Sequence, residues 1–211
     1  MARKIEQLKR NRRIRRIKQT VLFEFEGNNM TEENYFKHFQ NRNNDYNVKF
    51  AYGHDTDPVG MIKSLINYMK KEDINMENGD KIYCVFDGDL NINKQKRIDE
   101  AIKLAETENI DIIISTPSFE LWYRLHYSYT TKTYSSNKDL IKDLKKYIPN
   151  YEKNMDVYNL LEKYTKVAIE NSKKLEEYQL NNLKKLNAIE CNPYTSVYKP
   201  VEYLLNRKNK Q

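Results

Sequence analysis

No run in this sequence approaches the roughly 18–20 consecutive apolar residues that a membrane-spanning helix needs, so no membrane association is expected. The N-terminus is basic and lacks an apolar signal core, so a secretory leader is not expected either. Only two cysteines occur, Cys84 and Cys191, far apart and without a CxxC pair, as suits reduced thiols in a cytoplasmic protein. The phosphate-binding pattern GxxxxGK[ST] is missing, which excludes ATP hydrolysis of the P-loop kind. GxSxG is missing too, and no Cys–His arrangement indicates a thiol nucleophile. The first strand candidate runs into "EGNNMTE" rather than GxGxxG, which excludes the usual dinucleotide fingerprint.

What is present begins with charge and aromatics. Hydrophobic residues make up 39% and charged residues 32% of 211, and 17 Tyr with 7 Phe supply bulk for a core. The net charge of +7 is unevenly spread. Residues 1–20 hold nine Lys/Arg and one Glu, a net +8, so the other 191 residues sum to −1. A near-neutral body with a basic arm, in which Arg12, Arg13, Arg15 and Arg16 are densest, suits a phosphate backbone or an acidic partner surface. A solvated tail is the plainer reading.

Beyond the arm, strand and helix patterns alternate. "TVLFEF" reads as a strand, followed by a helix capped by Thr31 with Tyr35, Phe36 and Phe39 on one face. "YNVKFAYG" alternates as a strand, and Pro58 opens a helix whose apolar stripe is Met61, Ile62, Leu65, Ile66 and Met69. "KIYCVF" and "IDIIIS" have the continuous hydrophobicity of central parallel strands, separated by a helix over "NKQKRIDEAIKLAETEN". Pro117 is expected to begin the next helix, "STPSFELWYRLHY". The pattern predicts an α/β fold, a Rossmann-like parallel sheet of four or more strands flanked by helices. From about residue 130 the chain is expected to pass through a polar linker into a helical region, with Val157, Leu160, Leu161, Tyr164 and Val167 as one stripe. Three segments follow: the arm 1–20, an α/β domain 21–130, and a C-terminal helical region 131–211.

In parallel α/β sheets, ligands bind beyond the carboxyl ends of the strands. Glu26 closes the first strand, Asp87 and Asp89 in "VFDGDLN" close the third, and Glu120 follows the fourth. Paired carboxylates flanking Gly88 offer hard oxygen donors suited to Mg²⁺ or Mn²⁺. An ordinary turn before a helix is the alternative for "DGD". Glu120 is a candidate for the same site or for a helix cap, and Glu32, in the first turn of a helix, is a candidate for site support. His126 either approaches the rim or packs with Trp122 and Tyr123. His38 reads as packing or surface, and His54 as a turn residue on the rim. Lys94, Lys96 and Arg97, just after the aspartates, are candidates to steer phosphates. Glu24 is left without a role: either its strand lies near a sheet edge or it has a basic partner.

Four segments taken in order, "FEGNNMTEENYF", "VFDGDLN", "STPSFELWYRLHY" and "NPYTSVYKPVEYL", resemble the RloB-like family, also met as a component of AbiL-type abortive-infection systems. Family members more often show Ser-Asn-Pro where this chain has "STP", and a small residue or Cys at the position of Glu24. The resemblance implies a divergent Toprim domain, in which a glutamate after the first strand and a DxD after a later strand bind Mg²⁺. By that resemblance Glu26 takes the glutamate position, and Asp87 and Asp89 the DxD. It further implies a metal-dependent nuclease acting on RNA, tRNA included, or DNA, in bacterial anti-phage defence beside an ABC- or OLD-type ATPase. A competing reading is a non-catalytic module that docks on such an ATPase. Phosphotransfer or nucleotidyl transfer would use the same acids. Whether the chain self-associates is left open.

Overall fold

The computed structural model describes residues 18–27, 30–53 and 55–208. The arm residues Arg12, Arg13, Arg15 and Arg16, and also His54, lie outside the described residues. The elements run β1 (Gln19–Phe25), α1 (Met30–Lys37), β2 (Tyr46–Ala51), α2 (Pro58–Lys71), β3 (Lys81–Asp87), α3 (Ile92–Thr107), β4 (Asp111–Thr116) and α4 (Glu120–Leu125). After these come α5 (Asn137–Leu144), α6 (Tyr158–Leu161), α7 (Thr165–Asn181), β5 (Tyr194–Thr195) and α8 (Tyr198–Lys208).

The strands form one sheet in the order β2-β1-β3-β4-β5. The first four are parallel, as their crossover helices require, and β5 is antiparallel to β4. The chain therefore turns outward in opposite directions from β1, and the crevice between β1 and β3 is the topological switch point where α/β sheets bind ligands.

Alternation along the strands builds two cores. Val21, Phe23 and Phe25 of β1 join Phe50, Tyr83, Val85 and Ile113 on the face covered by α1, α4, α7 and α8. Phe23 lies over Phe36 at 4.4 Å and Tyr83 at 5.2 Å between ring centres. Leu22, Ile82, Cys84, Phe86 and Ile114 face the other way, onto α2 and α3. Pro58 opens α2, and Asp57 caps it through Gly60 N–H at 3.0 Å. No described helix is long and apolar enough to cross a membrane.

Several expectations need correction. Thr31 lies inside α1 rather than capping it, with its hydroxyl against Asn154. Pro117 does not begin α4, because its carbonyl, like Ser115 O and Phe119 N–H, is committed to the 87–89 loop described below. The expected linker is anchored by Tyr134, fully buried, whose hydroxyl donates to Asp143 at 2.9 Å. The expected stripe over 157–167 breaks: Val157 and Leu161 are buried, but Leu160 and Val167 are exposed. A 3₁₀ turn at Glu162–Tyr164 shifts the helical phase, and Ala168, Ile169 and Leu175 face the core instead. The C-terminal region also supplies β5, a strand too short to show a period.

Glu24 meets neither expectation. Its strand is central, flanked by Ala51 of β2 and Cys84 of β3, and its fully buried carboxyl lies against Ser64 and the Gly53 backbone. Burial pushes its pKa up to about 7 from 4.5. Between these values the folded chain keeps a proton that the unfolded chain releases, so Glu24 lowers stability as pH rises through that window. Glu24→Gln is expected to stabilise the protein by about 3 kcal/mol at pH 8 and to leave it unchanged at pH 4, measured by urea denaturation.

Candidate functional site at the sheet switch point

Two loops shape the site. After β1 the chain reverses at Gly27, whose φ of 59° is a left-handed conformation that glycine adopts without strain, with its N–H on Asp55 O at 2.7 Å. After β3 it passes through Gly88 into Asp89 and Leu90, with φ of 53° and 52°. Gly88 is required by close approach: a Cβ there would lie 2.5 Å from Thr116 Oγ1. The end of β4 and the segment after it hold this second loop by three bonds. Gly88 N–H donates to Ser115 O (2.8 Å), Asp89 N–H donates to Pro117 O (3.1 Å), and Phe119 N–H donates to Asp87 Oδ1 (2.9 Å).

The acids at these strand ends converge. Glu26 Oε2 accepts from Asp87 N–H at 3.0 Å. Its Oε1 accepts from Lys94 Nζ at 2.8 Å, and the same ammonium donates to Asp87 O and Asp89 Oδ2, each at 2.8 Å. Asn137, from α5, reaches Asp89 Oδ1 at 3.5 Å. Asp87 is buried, and desolvation followed by repulsion from Glu32, Glu120, Asp89 and Glu26 raises its pKa well above the carboxylate range. Burial acts against the charge of Lys94, but Glu26 and Asp89 outweigh it and hold the amine above its ordinary value.

Glu32 and Glu120 form a second tier behind the rim. Both are buried, and neither lines the cleft. Glu120 accepts from Ser118 Oγ at 2.6 Å and Tyr151 OH at 3.1 Å, while burial pushes Glu32 up to about 8. His126 takes the packing alternative: it is buried, stacks edge-on against Trp122, places Nδ1 2.9 Å from Trp122 O, and is lowered by burial to about 4. His38 lies on the surface side, flat on Tyr158 and 2.8 Å from Asp156. Of the three cations named for phosphate steering, Lys94 is committed to the acids, Arg97 is bound to Asp57 and Glu100, and Lys96 is exposed.

Sequence reasoning missed part of the lining. A cleft of about 360 Å³ is lined by Glu26, Gly27, Asp87 and Asp89 together with Thr56, Lys153 and Asn154. Asn154 is clamped to α1, its N–H on Thr31 Oγ1 at 3.1 Å and its carbonyl on Asn34 Nδ2 at 2.9 Å, which brings Lys153 into the cleft with the acids. "YEKN" carries no local signal for this; only the fold delivers it.

The donor chemistry suits a hard divalent cation, being carboxylate and carbonyl oxygen at a cleft wall. The recorded arrangement is that of an ammonium. Lys94 Nζ occupies the point on which Glu26, Asp89 and the Asp87 carbonyl converge, while the Asp87 carboxylate turns to Phe119. Among the described residues no three His, Cys, Asp or Glu side chains are grouped so as to enclose a metal directly.

No curated protein and no solved structure matches this chain. A family model described as RloB-like protein matches residues 21–204, from within β1 into the last helix and across every residue of the cleft. By that match over most of its length, the chain belongs to the RloB-like protein family.

Proposed function

We propose that the chain is a Mg²⁺- or Mn²⁺-dependent nuclease that hydrolyses phosphodiester bonds of RNA, tRNA among the options, or of DNA. In this reading it is the effector of a bacterial anti-phage, abortive-infection system and works with an ABC- or OLD-type ATPase, since its own sequence has no P-loop. The observation that carries the proposal is the convergence of the Glu26 and Asp89 carboxylates and the Asp87 carbonyl on the Lys94 ammonium at the switch point of the sheet. Those three residues would hold the metal, which when bound polarises a phosphoryl oxygen and eases charge on the leaving oxygen. Glu26, with its side chain 17% exposed at the cleft mouth, is the acid placed to take a proton from an attacking water. Lys153, which lines the same cleft, would receive a phosphate. Glu32 and Glu120 concentrate negative charge behind Asp87.

The experiment is end-sequencing of cellular RNA and DNA after induced expression, wild type against Asp89→Asn. New 5′ or 3′ ends in one nucleic acid that vanish in the variant support the proposal and identify the substrate. Identical end profiles, with both proteins folded, reject it. A docking module remains the second reading, favoured by Tyr178, Leu180 and Leu183, which are exposed near the end of α7. Defence retained in cells carrying Asp89→Asn would favour that reading.

A further inference from the structure

Lys94 is an unusual neighbour for a metal site. Its side chain is 11% exposed, it springs from the first turns of α3, and its ammonium is held by Glu26 Oε1, Asp87 O and Asp89 Oδ2, all at 2.8 Å. An ammonium has three N–H donors, and here all three are used. These three oxygens belong to the three residues that would ligate the metal. A divalent ion held by the same oxygens would crowd the nitrogen, and the two positive centres would repel at a range too short for solvent to screen. The same oxygens can serve one cation at a time.

We propose that Lys94 is a built-in competitor for the catalytic cation, its ammonium closing the site until a divalent ion displaces it. The inference rests on the metal-site reading given above and adds how that site is controlled. In the closed state Lys94 neutralises Glu26 and Asp89, and the fold keeps its acids together without a metal. In the open state the lysine swings toward the cleft, where Lys153 already lies, and turns from a counter-ion for carboxylates into a phosphate contact. Metal and substrate would then favour each other's binding, because a phosphate offers the displaced ammonium a new partner.

The test uses the full chain and Mn²⁺ as probe, with binding read by calorimetry and by water-proton relaxation. Lys94→Met keeps the stem and removes the charge, and is expected to bind Mn²⁺ at least about tenfold more tightly than wild type. Lys94→Arg keeps the charge and is expected to gain nothing. A measurement on the unaltered protein covers the case in which Lys94→Met folds poorly: Mn²⁺ should raise amine labelling of Lys94 severalfold, read by mass spectrometry, and leave Lys96 unchanged. Equal Mn²⁺ affinity in wild type and Lys94→Met, or labelling of Lys94 unaffected by saturating Mn²⁺, overturns the competitor role and leaves the metal site standing. Mn²⁺ binding to neither protein overturns both.

Discussion

Asp87→Asn is expected to abolish metal-dependent cleavage, by on the order of 10³-fold or more in kcat/KM, while leaving the protein at least as stable as wild type. The two effects have one origin. Asp87 is buried, with Glu26, Glu32, Asp89 and Glu120 all raising the cost of its charge. A bound cation would offset that cost, and without one it weighs on the fold. Asparagine is neutral and of the same shape, and its Oδ1 can still accept from Phe119 N–H, which the carboxylate now does at 2.9 Å. Thermal melts and cleavage kinetics on the same preparation check the pair of outcomes. Lost stability together with lost activity would mean that Asp87 serves the fold, and retained activity would remove it from the site. Alanine is the poorer variant, because it would also orphan the Phe119 N–H.

Asp143→Ala is expected to cost about 3–5 kcal/mol, the largest stability effect we anticipate among single changes outside the site. Arg124 of α4 and Asp143 of α5 form a buried ion pair at 2.7 Å, with side chains 8% and 6% exposed. Tyr134 OH and Lys146 Nζ also bond Asp143, at 2.9 and 2.7 Å, and Arg124 adds Ser128 and the Tyr147 ring. Removing the acid leaves the guanidinium buried with only its neutral partners. Burial acts to raise the Asp143 pKa, but Lys146, Arg124 and Tyr134 outweigh it and hold the carboxyl well below its ordinary value of 3.8. A depressed acid contributes its stability above that ordinary value and loses it as pH falls toward the folded-state value. The gap between wild type and Asp143→Ala should therefore be full at pH 7 and shrink below about pH 4, measured by denaturant midpoints across pH. Because α4 follows directly on Phe119, whose N–H holds Asp87, the same variant should also lower cleavage.

Where the acids of the candidate site lie was largely legible before folding, since strand ends carry local signals. A strand end is marked by where an apolar run stops, and parallel topology places those ends on one rim. Glu26, Asp87 and Asp89 were therefore identifiable from position alone. Glu32 and Glu120 were legible as acids near the rim, but not as buried members of a second tier, because burial depends on what covers them. Here the cover includes Tyr151, which lies far along the chain.

Residue types and spacing by themselves determined the α/β alternation, the four parallel strands, the absence of a P-loop and the three acids at the strand ends, because strand and helix periods and turn residues act over a few neighbours. Tertiary structure alone decided the remainder. It placed Lys94 among the acids rather than in solvent, brought Lys153 and Asn154 to the same cleft, added β5 to the sheet edge, and gave Glu24 a central, buried place with no basic partner among the described residues. Each of these depends on contacts between segments distant in sequence. Such contacts form only when the chain has closed on itself, and no local pattern encodes them.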